Sequence, residues 1–299
     1  MNNLKKLSIL LIIMTLLMVF VGCGKTSSEN KVIVGGKDFT EQDILVHLVS
    51  ELIENKTDID VERKSYLGGS SIVAKSIETG DLDMYVEYTG TALISVLGEE
   101  VINDPDEVYD LVSKRYSDEK QIKWLKALGF NNTFAITMKK SKAEELGIKT
   151  LSDLAEHAPN LVLASTQEFL ERNDGYKSMQ KVYGIEFKEA KGMDPGLCYA
   201  AVRDDKADVN VSFATDGRIP AFELVILEDD KSFFPPYYAA PIIRQDTLEK
   251  CPELEEILNQ LAGKLTDSEM AKLNASVDLE HKDPKSVAKG WLKSNGLID

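Results

Sequence analysis

The chain has 299 residues, with 50 Asp and Glu against 35 Lys and Arg and a formal charge of −15. So acidic a body argues against nucleic acid as a partner, because phosphate recognition needs clustered Lys and Arg. The three histidines, His47, His157 and His281, lie in unrelated segments without metal-ligand spacing, and no GxSxG, CxxC or Walker element occurs. No metal, no cofactor and no enzymatic activity are therefore expected.

In chain order, Lys5 and Lys6 precede an apolar run over residues 7–21 that stops at Gly22-Cys23-Gly24. A basic start, a short apolar stretch and a small residue before the cut describe a bacterial secretory leader over residues 1–22. About fifteen apolar residues are too few for a comfortable membrane span, which takes about twenty. Gly22-Cys23 resembles a lipobox, with Phe20 where Leu is usual. Cys23 is thus expected to carry a lipid and hold the chain on the outer face of the membrane. Residues 23–30 then form a polar, lipid-anchored tether.

From residue 31 the pattern alternates short apolar runs with helical periodicity. Residues 32–34 read as a strand ended by Gly35-Gly36, and residues 40–55 as a helix with Ile44, Leu45, Leu48, Val49, Leu52 and Ile53 on one face. Thr40 and Asp43 have the spacing of a capping box. Strands are expected at 59–66 and 82–88, with a helix opened by Gly68-Gly69-Ser70-Ser71 between them. That order calls for parallel pairing in an α/β sheet. A charged helix over 104–120 and an extended segment over 133–138 follow. The α/β rhythm then restarts, with helices near 151–157, 175–183 and 195–203 and strands at 161–164, 187–190 and 209–213. Pro235-Pro236 interrupts the extended run 233–243, and the tail from 252 to 295 is helical, with starts at Thr266-Asp267 and Asp283-Pro284. Two α/β units joined by crossings near 134 and 236 predict two lobes around a cleft. Lobe 1 is expected over 31–133 plus 238–299, and lobe 2 over 134–237. Cys198 and Cys251 can pair or stay free; free buried thiols are expected.

Six segments carry a family resemblance: GKDFTEQ at 36–42, EYTGT at 87–91, GFNNTF at 129–134, EFLERNDG at 168–175, TDGRI at 215–219 and FFPPY at 233–237. Together they resemble the glycine betaine/carnitine/choline-binding proteins of ABC transporters, in order and across nearly the whole mature chain. The resemblance implies a two-lobed type II periplasmic-binding-protein fold. It also implies a quaternary-ammonium ligand held in an aromatic cage between the lobes, with an ABC permease and its ATPase as partners.

Carried over by position, the cage comprises Tyr88, Phe134, Phe213 and Tyr237, with Gln42 and Thr91 as polar neighbours. Phe134 and Phe213 stand where the family commonly has Tyr, so two phenolic donors are missing while the ring faces remain. The residue choice has a physical reason. A quaternary ammonium has no N–H to donate, and its charge is spread over methyl groups, so it favours faces that are both apolar and electron-rich. Arg172 can clamp a ligand carboxylate or brace the loop at Asp174, and the Gly68–Ser71 turn can hold an anion or simply begin a helix. Ergothioneine, another betaine, or an amino-acid-like solute is the alternative ligand. Alanine at Tyr88 or Tyr237 is expected to weaken binding by about 1–2 kcal/mol or more with the fold left intact.

Overall fold

A computed structural model describes residues 31–299; the expected leader, the expected lipid site Cys23 and the expected tether lie outside them. Ten strands form two five-stranded sheets. The first contains β1 (Lys31–Gly35), β2 (Asp60–Lys64), β3 (Met84–Tyr88), β4 (Ile122–Trp124) and β10 (Ala239–Arg244), in the order β2-β1-β3-β10-β4. The second contains β5 (Phe134–Lys139), β6 (Val162–Ser165), β7 (Glu189–Gly192), β8 (Val209–Phe213) and β9 (Leu224–Ile226), in the order β7-β6-β8-β5-β9.

The two sheets are built alike. β1 lies parallel to β2 and β3, and β6 lies parallel to β7 and β8, each joined through helices as a right-twisted strand requires. The strand that follows each crossing enters antiparallel, β5 beside β8 and β10 beside β3. Short edge strands, β4 and β9, finish the sheets. The crossings themselves are paired: Asn131 bridges Tyr238, Asn132 N–H donates to the Tyr237 carbonyl at 3.1 Å, and Tyr237 N–H donates to Asn131 Oδ1 at 2.8 Å.

Strand alternation places the cores. On β3, Met84, Val86 and Tyr88 face the helix Thr40–Lys56, while Tyr85 points to the opposite layer with Ile242 and Tyr116. All five residues of β3 are buried, as a central strand covered on both faces demands. The helices Asp267–Asp278 and Pro284–Ser294 return to pack on Thr40–Lys56, which is why that helix is buried over most of its length.

Helix starts obey local chemistry at Asp104, Thr150, Thr166, Thr266 and Asp283, whose side chains accept backbone N–H groups. The helix at Thr40 departs from that rule. Its N-cap is Phe39, with no side-chain cap. The Thr40 hydroxyl instead donates to Asp278 at 2.6 Å, and Asp43 accepts from Ser65, so tertiary partners take both groups of the expected capping box. Strand 59–66 contracts to β2, and the run 233–243 yields a strand only beyond Pro236. Residues Thr91–Val96 form a π-helical turn for which the sequence pattern offers no signal. Cys198 and Cys251 are free and buried.

Candidate functional site

The carboxyl ends of β3 and β8 point into a cavity of about 470 Å³ between the two sheets. This is where open α/β sheets present ligands. Tyr88 ends β3, Phe213 ends β8, Phe134 begins β5 and Tyr237 lies in the second crossing; all four line the cavity, with Thr91 and Arg172. Phe134 and Phe213 are direct cross-strand partners, which brings their rings to 5.5 Å. Phe134 meets Tyr237 edge-on at 5.5 Å and 81°.

A fifth ring, Phe39, escaped sequence reasoning. It stacks on Phe213 at 5.0 Å and faces Tyr88 at 6.3 Å. Its only signal was its place in GKDFTEQ, immediately before the helix. Tyr199, buried behind the wall, accepts the Phe213 N–H at 3.0 Å and holds the end of β8 in place.

Neither phenol faces the cavity as a free donor. Tyr88 Oη donates to Glu41 Oε1 at 2.7 Å, and Tyr237 Oη donates to Asp174 Oδ2 at 2.6 Å. Burial, then the neighbouring carboxylate, holds each phenol well above its ordinary pKa, so both remain protonated.

Gln42 does not line the cavity; it stands behind Tyr88. Its Oε1 accepts the Lys37 N–H at 3.2 Å, and its Nε2 donates to the Val86 carbonyl at 2.9 Å and to Tyr88 Oη at 3.0 Å. Those backbone partners fix the amide orientation, and with it the direction of the phenol hydrogen toward Glu41.

Arg172 is a brace. Its Nε and Nη2 donate to Asp174 at 2.7 and 2.5 Å, Nη2 to Thr91 Oγ1 at 3.3 Å, and Nη1 to Glu168 at 3.0 Å and Ser70 Oγ at 3.4 Å. A guanidinium has five N–H hydrogens, and these five bonds use them all. The Ser70 end of the Gly68–Ser71 turn also has an occupant: Ser70 N–H donates to Glu168 across the cleft at 3.3 Å. Lys37 is paired with buried Glu87. The wall further carries Asp38 and Asp194, and burial together with the charges of Glu168 and Asp194 pushes the Asp38 carboxyl up. Ring faces and carboxylates therefore meet at one wall, an arrangement whose electrostatics favour positive charge.

Gly90 makes room for this wall. A Cβ there would stand 2.7 Å from the Tyr237 ring and 2.9 Å from the Pro236 carbonyl oxygen. Gly90→Ala is expected to displace Tyr237, costing about 1–3 kcal/mol of stability. The urea midpoint reads this, and a midpoint equal to the parent's contradicts it.

Among the described residues no group of three His, Cys, Asp or Glu is placed to hold a metal, and no helix is long and apolar enough to cross a membrane.

Comparison with known proteins agrees with this geometry. The family model for the substrate-binding domain of ABC-type glycine betaine transport systems matches residues 30–294. The carnitine transport binding protein OpuCC of Listeria monocytogenes is 36% identical over 275 residues, covering 91% of this chain and 89% of that protein. The ergothioneine transport permease/ergothioneine binding protein EgtU of Helicobacter pylori is 36% identical over 270 residues, covering 90% of this chain and 48% of that longer protein. A crystal structure described as a glycine betaine/carnitine/choline ABC transporter superposes with a TM-score of 0.74 at 35% identity, covering 90% of this chain and all of that one. Members of this family serve transport as substrate-binding proteins and are not enzymes. The chain, with its two α/β lobes and a ring-lined cleft, belongs to the family of substrate-binding domains of ABC-type glycine betaine transport systems.

Proposed function

We propose that this substrate-binding protein captures a small quaternary-ammonium solute (glycine betaine, carnitine or choline) outside the cell and delivers it to an ABC permease driven by an ATPase. The cage comprises Tyr88, Phe134, Phe213 and Tyr237, joined by Phe39. One observation carries the reading: five rings line one cavity, and both phenolic hydrogens in it are committed to buried carboxylates. The ring faces left for a ligand are apolar and electron-rich, with the carboxylates of Asp38 and Asp194 at the same wall. Each desolvated face is worth up to about 2 kcal/mol toward a cation. Three or four such faces plus methyl burial reach the roughly 8 kcal/mol of micromolar binding.

The lobes in this reading are 31–133 plus 238–299 and 134–237, hinged at the paired crossings. The bonds from Ser70 to Glu168 and from Arg172 to Thr91 join the two across the cleft, as a closed, ligand-holding form requires. Lipid attachment at Cys23 is supported by the leader-like residues 1–22 and the polar stretch after them. The Helicobacter relative, whose name joins permease and binding protein, supports both a permease partner and the second reading, ergothioneine; a cavity of about 470 Å³ has room for that larger betaine.

Calorimetric titration of residues 31–299 with tetramethylammonium, choline, glycine betaine, carnitine and ergothioneine tests the proposal. Binding of at least one of them in the micromolar range is expected. Heat-silent titrations with the whole panel, confirmed by unchanged melting temperatures, would sink it.

A further inference from the structure

Behind the Tyr88 ring lies a charge with no partner. Glu41 is 2% exposed and accepts four hydrogen bonds: from Tyr88 Oη at 2.7 Å, Asn132 Nδ2 at 2.8 Å, Thr215 Oγ1 at 2.5 Å and Asn274 Nδ2 at 3.0 Å. All four donors are neutral, and among the described residues Glu41 forms no ion pair. Burial, the largest influence, pushes its carboxyl up; the four bonds oppose that. Two donors on each oxygen fill the lone-pair sites of a carboxylate and leave no natural place for an acid proton. Glu41 also sits in the first turn of a 17-residue helix, where the dipole favours a negative charge.

Among the described residues the other fully buried charges around the cage are paired, while the unpaired carboxylates on its wall, Asp38 and Asp194, are exposed to water. Lys37, 5.1 Å above the Tyr88 ring, is matched by Glu87, and Arg172 is matched by Asp174. An isolated buried carboxylate is costly unless something compensates it. We propose that the bound ammonium is that compensation: Glu41 is the buried counter-charge of the ligand, acting through Tyr88, whose phenol it orients and whose ring it makes more negative. Glu41 is thus a positioning residue that selects for positive charge and not merely for a trimethylated shape. This rests on the cage reading above. It adds a source of discrimination that ring faces alone do not supply.

The test uses an isosteric pair, choline and 3,3-dimethylbutan-1-ol, in which a carbon replaces the quaternary nitrogen and removes the charge. The parent is expected to prefer choline. In Glu41→Gln the choline-to-alcohol preference should fall by about tenfold, as expected for a unit charge several ångströms away at intermediate dielectric. Any loss of folded protein lowers both affinities together and leaves the ratio unchanged. Tyr88→Phe keeps the ring but cuts its link to Glu41, and the ratio should fall by about threefold, half a decade of affinity. It decides the question if Glu41→Gln does not fold. A preference that survives in the folded variants overturns the role of Glu41 while the cage stands. A parent that binds choline no better than the neutral alcohol overturns this inference, and one that binds no member of the panel above overturns the cage with it.

Discussion

Arg172→Met is expected to lower the unfolding free energy by about 3–5 kcal/mol, the cost of stranding one member of a buried ion pair. The Arg172 side chain is 7% exposed and that of Asp174 is fully buried. Methionine fills much of the stem's volume but returns none of the five hydrogen bonds. Asp174 would keep Tyr237 Oη as a donor and lose the cation that makes its burial tolerable. Thr91 and the Ser70 hydroxyl would lose their bonds to the second lobe, leaving the Ser70 N–H on Glu168, so the closed arrangement should weaken along with the fold. A companion variant separates these effects. Arg172→Met with Asp174→Asn removes both charges, and replacing both members of a buried pair is commonly close to neutral. Stability should then largely recover, while the cross-cleft bonds do not, and ligand affinity should remain below the parent's. Urea unfolding and calorimetry measure the two. If Arg172→Met unfolds within about 1 kcal/mol of the parent, the guanidinium is not the brace described here.

The contrast between Arg172 and Gln42 shows what residue order can and cannot convey. Parallel pairing of β1, β2 and β3 was legible because short apolar runs alternated with helical periodicity. The helix Pro195–Arg203 was legible because proline at its first position sets both φ and the start. Partners distant in sequence were not legible. Nothing near residue 239 says that β10 runs antiparallel between β3 and β4, because that choice is made by the return of the second crossing. The Thr40 cap failed for the same reason: its hydroxyl finds Asp278 in a helix near the other end of the chain. At the cavity, motif resemblance brought six of the seven candidate side chains to one place, yet it could not say which way Gln42 turns. In the sequence Glu41 is only one letter of GKDFTEQ. Only the convergence of Asn132, Thr215 and Asn274 from three separate segments reveals it as a buried charge. Departures from local rules cluster beside the cavity, where Phe39 takes an N-cap position that favours small polar residues.

Tyr237→Ala carries the other large effect, and the structure changes what it should do. The ring is 2% exposed, fitted against Gly90 and edge-on to Phe134, so alanine does more than delete a ligand contact. Truncating a buried aromatic costs about 3–5 kcal/mol of stability. Losing one desolvated ring face costs about 2 kcal/mol of binding to a quaternary ammonium. The fold is therefore not expected to be left untouched, and the same holds for Tyr88, which is 4% exposed. Tyr237→Phe divides the contributions. It keeps the ring and removes only the hydrogen bond to Asp174, which should cost about 1–3 kcal/mol of stability for the donor withdrawn from a buried carboxylate. Its affinity for tetramethylammonium should stay within a few-fold of the parent's, because the face that meets the cation is still present. In Tyr237→Ala, saturation of the folded fraction at high ligand should show a loss of at least about tenfold, which is 1.4 kcal/mol. Equal affinities for tetramethylammonium in the alanine and phenylalanine variants, measured well below their melting temperatures, would remove Tyr237 from the binding wall and leave it as a packing residue.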